Sequence, residues 1–391
     1  MNLSAASIMI RPMDVTEIRA VLSPRSREAG DFIAFPKRLY RDCPCYVPWF
    51  DRGMRRLFSR KSPFFRHSDG EFFVAYHGNT PVGRIALFEN RNFNSYTGNR
   101  DARFYFFDAE NSQPAADALF DLAANWARSR KLTRLIGPQG FSSMAGGGIL
   151  VQGYDQMPAM TMMGYNYPYY QELLESAGFS KYKDFVSAYL DPRTYRSPEK
   201  ISRVAAIAMK RGGFDLPRIR GRRQMRALAL EIGRLYNESW QDHAEFAPLT
   251  EEELLELTND LMLVTDPKLL QVIRKGDDLA GFVLTFPDLT NALIKAKGKL
   301  NPVSLWSILR EKRRTDKVIV NGLGIHPRYR NNGGTAILYH ALEKSVQGLG
   351  REFVGADLTQ VAETTELMLA DLETLGARVY KRHRVYHKGT S

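Results

Sequence analysis

From Glu71 onward, short apolar runs and amphipathic stretches follow one another in an order that occurs twice. Phe72 to Tyr76 reads as a strand, His77 to Thr80 as a turn closed by Pro81, and Val82 to Phe88 as a second strand, which together make a hairpin. Arg103 to Phe107 is an aromatic strand. Gln113-Pro114 then opens a helix whose apolar positions Ala118, Leu119, Leu122 and Trp126 keep helical spacing. A strand from Leu132 to Ile136, a glycine-rich loop from Gly137 to Gly148, a helix from Tyr169 to Ala177 stopped by Gly178, and a strand from Phe185 to Leu190 complete the series.

The second half repeats that order after a linker around Asp191-Pro192. Ser197 and Pro198 signal a helix that ends before Gly212-Gly213, Phe214 to Ile219 reads as a strand, and Met225 to Trp240 as a helix. Thr250 with Glu253 forms a capping box for a helix through Leu261. A hairpin is predicted from Leu269 to Ile273 and Leu279 to Phe286, followed by a strand from Val318 to Ile325 and a helix from Thr335 to Leu349. Phe353 to Leu358 is then a strand, Glu363 to Leu375 a helix ended by Gly376, and Ala377 to His387 a final strand pair. The economical account is two tandem copies of one α+β plan, each a mixed, mostly antiparallel sheet flanked by helices. The expected units are 1–192, a connecting helix over 193–215, and 216–391.

Composition narrows the class. The chain has 391 residues, 44% hydrophobic and 25% charged, and no apolar stretch long enough to span a membrane. The N-terminus lacks the pattern of a secretory signal, so a cytoplasmic protein is expected. Cys43 and Cys45 flank Pro44, too close for a disulfide and too few for a zinc site, so no metal is expected. A net charge of +12 favours anionic partners without choosing among cofactor phosphates, nucleic acid and lipid headgroups. Basic clusters at Arg218 to Arg223 and Arg310 to Arg314 read as solvated faces.

The stretch that carries chemistry runs from Val318 to Ala336. A strand enters a loop of small and amide residues, Arg330-Asn331-Asn332-Gly333-Gly334-Thr335, and the loop opens a helix that buries Ile337, Leu338, Leu342 and Val346. Glycine there lets backbone N–H groups converge at a helix N-terminus, which is a cradle for phosphate, and Arg330 can add a charge-assisted contact. Gly333 is read as a surface residue with little part in the core.

This run resembles the coenzyme A signature of the GNAT acetyltransferases, with Arg330 and Gly333 at its first and fourth positions and Thr335 where glycine or alanine is usual. Asn237 to Trp240, Phe246 to Glu253, Gly376-Ala377 with Tyr380 to Arg382, and Tyr165 to Tyr170 extend the resemblance to bacterial proteins with two fused GNAT-like domains. The resemblance implies acyl transfer from acetyl-CoA or another acyl-CoA to a small-molecule or peptide amine. It places oxyanion-binding backbone groups near Leu323, Gly324 and Ile325 and a second cofactor helix at Glu363 to Gly376, where Thr365 and Leu372 replace the usual asparagine and tyrosine. His243 or Asp357, or a water held by either, is the candidate base, and Tyr380 or Tyr386 the candidate acid. In the first half, Asp108 and Glu110 stand where phosphates would sit, so that copy is expected to reject the cofactor by like charge. The tyrosines at 165, 167, 169 and 170 are either core or a wall of the acceptor pocket. Two other readings use the same architecture: a Fem-like aminoacyl transferase taking charged tRNA, and a non-catalytic acyl-CoA sensor.

Overall fold

The computed structural model describes residues 17–141, 146–219, 221–241 and 246–390. Its strands are β1 (Glu17–Ala20), β2 (Asp69–His77), β3 (Thr80–Glu89), β4 (Asp101–Ala109), β5 (Arg134–Gly137), β6 (Ile149–Gln152) and β7 (Ser180–Leu190) in the first half. Those of the second are β8 (Gln271–Lys275), β9 (Asp278–Pro287), β10 (Lys317–Ile325), β11 (Gly355–Ala362) and β12 (Arg378–Gly389). The helices are α1 (Arg27–Leu39), α2 (Asp51–Phe58), α3 (Arg91–Thr97), α4 (Gln113–Ser129), α5 (Tyr169–Ser176), α6 (Glu199–Gly212), α7 (Gly221–Ser239) and α8 (Glu251–Val264). After them come α9 (Thr290–Ala296), α10 (Pro302–Arg314), α11 (Gly334–Gln347) and α12 (Glu366–Thr374).

All strands join one mostly antiparallel sheet in the order β1-β2-β3-β4-β5-β12-β7-β11-β10-β9-β8, with β6 also paired to β12. The order shows that the halves have traded strands. β12, the last strand of the second half, lies between β5 and β7 of the first, and β7 lies between β12 and β11. Burial follows the same exchange, since Tyr386 of β12 packs in the first-half core with Phe104, Phe107 and Tyr170. The stretch read as a final strand pair is therefore one long strand, and Phe214 to Ile219, read as a strand, contributes only a bridge between Asp215 and Arg274.

Local chemistry explains most of the element ends. Thr250 and Glu253 make the expected capping box at α8, Ser112 caps α4 by accepting from the Ala115 amide, and Gly213 ends α6 in the left-handed region. On the second half's sheet, α11 covers the face carrying Val318 and Val283, while α7 covers the face carrying Val272 and Phe282. Among the described residues no helix is long and apolar enough to cross a membrane.

Candidate active site

Parallel pairing between β10 and β11 runs from Lys317↔Gly355 to Val320↔Leu358 and stops there. Both strands continue, β10 bonded to β9 and β11 bonded to β7, so they part like the arms of a V. Each arm bulges at the point of parting: Gly322 has φ +118° within a register shift on β10, and Gln360 has φ +61° within one on β11. A bulge bends its strand and ends the pairing, which is why the opening lies here. Leu323, Gly324 and Ile325 form the β10 arm. Leu323 and Ile325 pack toward α11, and Gly324 lies against Phe282 and Ser239, where a Cβ would come within 2.6 Å of the phenyl ring.

Beyond Ile325 the chain makes a short turn at Pro327–Tyr329, anchored by the Tyr329 hydroxyl donating to Asp278. Asn331 (φ +63°) and Gly333 (φ +80°) are both left-handed, and α11 begins at Gly334. Left-handed residues alternating with ordinary ones turn successive N–H groups inward, and the helix N-terminus adds its partial positive charge. Asn331 and Asn332 are exposed, Thr335 is half-buried, and the exposed Arg330 donates to the Ser239 carbonyl at the end of α7 (2.7 Å). Gly333 is no simple surface residue: a Cβ there would lie 2.8 Å from the Ala208 methyl of α6. Gly333→Ala is expected to lower stability by about 2–4 kcal/mol, from left-handed strain plus overpacking. An unchanged denaturation midpoint would show that α6 yields freely.

On the face away from α11, the sheet below the V is polar. Asp357 pairs across β7 with Tyr189 and across β10 with Ile319. Its Oδ2 accepts from the Tyr380 hydroxyl and its Oδ1 has no partner among the described residues. Burial pushes its carboxyl up to about 6, against the opposing pull of Lys381 and the Tyr380 bond. The two sequence candidates Asp357 and Tyr380 are thus in direct contact, and burial with the carboxylate drives the tyrosine far above its ordinary range. They do not touch the β10 arm. Asp357 is level with Ile319, which lies opposite Phe286 of β9, whereas Leu323 lies opposite Val283, three residues along and a separation of about 10 Å.

The groups between were not singled out in the sequence. Ser187 of β7 pairs with Lys381 of β12 and faces the β11 bulge that contains Thr359. The Ser187 and Thr359 hydroxyls and His383 Nδ1 are buried without a partner among the described residues. Burial also lowers Lys381 and takes His383 down to about 4, so the histidine is neutral. Unpaired buried polar atoms are uncommon and call for water or a polar ligand. Alternation along β12, Lys381-Arg382-His383-Arg384, carried a signal, but only the strand exchange shows that its two faces lie in the molecule's middle.

A segment of the first half, Met157 to Gly164, straps over this row. Lys381 donates to the Met157 carbonyl, Asn321 to the Met162 sulfur (3.0 Å), Gln360 to the Met162 carbonyl (2.9 Å), and His383 Nε2 meets the Gly164 carbonyl (2.9 Å). Asn321 and Gln360 come one from each arm of the V, so Met162 sits across its apex.

His243 lies outside the described residues. Tyr386 bonds Glu175 in the first-half core and is remote from the Asp357 row along β12. Leu372 is buried against Val186 and Leu358, so the usual tyrosine position is filled by packing. On the α11 face the Tyr339 hydroxyl donates to Asp371 of α12 (3.0 Å), a pair that sequence reading passed over.

In the first half the carboxylates expected to repel a cofactor are already paired with cations, and tyrosines fill the end of β4. Asp108 is buried in β4, salt-bridged to Arg84 (2.7 Å) and bonded by Tyr40 and Tyr170, and Glu110 pairs with Arg38. The Tyr170 hydroxyl accepts from the Ala109 amide and Tyr169 donates to its carbonyl, so tyrosines occupy the strand end. These rings are first-half core.

The fold as a whole is matched in solved proteins. A tandem GNAT protein from the clavulanic acid biosynthesis pathway superposes with a TM-score of 0.55 over 96% of this chain and 99% of that one, at 14% identity. This chain has the tandem GNAT fold. A glucosamine N-acetyltransferase region of a fungal multi-domain GH3 β-N-acetylglucosaminidase gives the same TM-score at 13% identity over 95% of this chain and 38% of that one. No protein-family model matches the sequence. A bacterial ceramide synthase of Caulobacter vibrioides is 28% identical over 92% of this chain and 94% of its own, and Protein YghO of Escherichia coli is 25% identical over 95% of each.

Proposed function

We propose that this tandem GNAT chain is an acyl-CoA-dependent N-acyltransferase with one donor site, in the second half. The observation that carries the reading is the V between β10 and β11, open to a glycine-lined helix start on one side and to an unpaired polar row on the other. The donor's phosphates would meet Arg330 to Thr335 and its thioester carbonyl the N–H groups of Leu323 to Ile325. The amine attacks that carbonyl, a C–N bond forms, the C–S bond breaks, and the thiolate leaves as the free thiol after taking the second proton shed by the nitrogen. An amine of pKa ~10.4 must first lose a proton. Asp357 takes it through a chain of waters passing the Thr359 hydroxyl, and Tyr380 holds the carboxylate in place. The acyl and acceptor classes follow the Caulobacter relative. A ceramide is the amide of a fatty acid with a long-chain amino alcohol, so the proposed reaction is fatty-acyl transfer to such an amine rather than acetylation.

The test is binding and turnover on one preparation. A fatty acyl-CoA at ~100 times its dissociation constant adds about 2.7 kcal/mol to stability, which raises the melting temperature by several degrees. Free thiol should appear only when amine is added, and Arg330→Glu should weaken donor binding by far more than the modest drop in melting temperature expected from losing its bond to the Ser239 carbonyl. No thermal shift with any acyl-CoA would overturn the donor assignment.

A further inference from the structure

β9 and β10 are antiparallel neighbours whose adjoining ends, Pro287 and Val318, lie opposite one another, so a turn of a few residues would join them. The chain instead runs out over 288–316 and builds α9 and α10. The inner side of this excursion is anchored beside the strap. The Thr290 hydroxyl donates to the Pro158 carbonyl (3.1 Å) and accepts from the Met160 amide (2.9 Å), and Leu293 and Ile308 pack in one cluster with Met160 and Met162. Its outer side is apolar and open to water. Leu300, Val303, Trp306 and Leu309 recur every third residue across the start of α10 and are 43%, 76%, 61% and 38% exposed. Lys297, Lys299, Arg310, Arg313 and Arg314 flank that stripe, all exposed and none paired with a carboxylate among the described residues, with Arg310 over the Trp306 ring. Glu311, the acidic residue of α10, is half-buried on the side of Ser304 and Ile308.

We propose that the outer face of α10 docks on a bilayer surface bearing anionic headgroups, with Val303 and Trp306 among the lipid and the arginines of the last turn on the phosphates. The helix lies on the membrane and does not span it. An apolar stripe with a tryptophan and a basic rim matches an interface that is hydrocarbon within and negative at its surface. Two other occupants fit less well. A second copy of this chain, meeting the first through the same face, would set these cations against themselves. A nucleic acid would answer the cations but leave Leu300, Val303 and Leu309 without an apolar partner. The docking surface stands on exposure and charge and is independent of the acyltransferase reading. Taken with that reading, the membrane that stores a long-chain amine lies against the elements that support the strap.

The experiment is co-sedimentation of the intact chain with vesicles of phosphatidylcholine, either pure or with about a third phosphatidylglycerol, at low and high salt. Binding should need the anionic lipid and weaken as salt rises, because exposed charges are screened. Each cation at such a surface contributes about fivefold, so Arg310→Gln, Arg313→Gln and Arg314→Gln together should weaken binding by about a hundredfold. Trp306→Ser should weaken it by about tenfold or more through lost apolar burial. All four side chains are exposed, so these variants should melt with the wild type. Leu22→Ser removes an apolar side chain that is 89% exposed beside β1 and should leave vesicle binding unchanged. No binding to the anionic vesicles at low salt, or binding that Trp306→Ser leaves intact, would overturn the proposal. So would a wild-type dimer that Trp306→Ser dissociates, since a second copy would then cover the face. The readout involves no turnover, so a failure of the acyltransferase reading would leave the docking surface standing.

Discussion

Asp357→Asn is expected to lower turnover by roughly a hundredfold or more, while making the protein more stable above pH 7. The two effects share one cause. The carboxyl is pushed from 3.8 to about 6 by burial, so between those values the folded chain binds a proton that the unfolded chain has lost. Stability contributed there is present at low pH and is lost as pH rises through the folded value. A shift of that size corresponds to up to about 3 kcal/mol carried by the ionised group at neutral pH. Asparagine keeps an acceptor for Tyr380 and removes the charge. Its melting temperature should exceed that of the wild type at pH 8 and match it near pH 4. In kinetics, the wild-type kcat/KM should rise with pH around 6, and the variant should lack that limb. A variant with normal turnover and the same limb would remove Asp357 from the reaction.

Neither half of the chain is expected to fold alone. A protein ending at residue 192 lacks β12, which leaves β5 and β7 without their shared neighbour and takes Tyr386 out of the first-half core. A protein starting at 193 lacks β7, so β11 and β12 each lose a partner and present bare edges. Separate expression should give aggregated or molten chains, and co-expression of the two should restore one soluble complex with cooperative melting. A monomeric 1–192 fragment that melts cooperatively would show that β12 is dispensable to the first half. The divide at 192 separates the chain, and the sheet crosses it. For the same reason, deleting only the residues after Ala377 should damage both halves.

The glycine loop at Arg330 to Thr335 was legible in the sequence because its chemistry is local. Backbone angles open to glycine, a helix start and a nearby cation lie within a few residues of each other. The capping box at Thr250, the hairpins and the buried stripe of α11 were legible on the same ground, since periodicity and caps involve neighbours along the chain. α1, α2, α9 and α10 were not read at all. Asp357 and Tyr380 were both named, but their contact was not visible, since they lie on different strands separated by α12.

Local order along the chain therefore determined most element types, the tandem α+β order and the glycine-lined start of α11. Tertiary structure alone decided which strands are neighbours, and that choice made the rest. Inserting β12 between β5 and β7 turned the charged run Lys381 to Arg384 into an interior strand with Lys381 and His383 buried. It also brought Ser187 beside Lys381 and laid a first-half strap over second-half strands. Strand pairing is a long-range choice, set by how all the apolar faces can be covered at once, and no window of the sequence contains it.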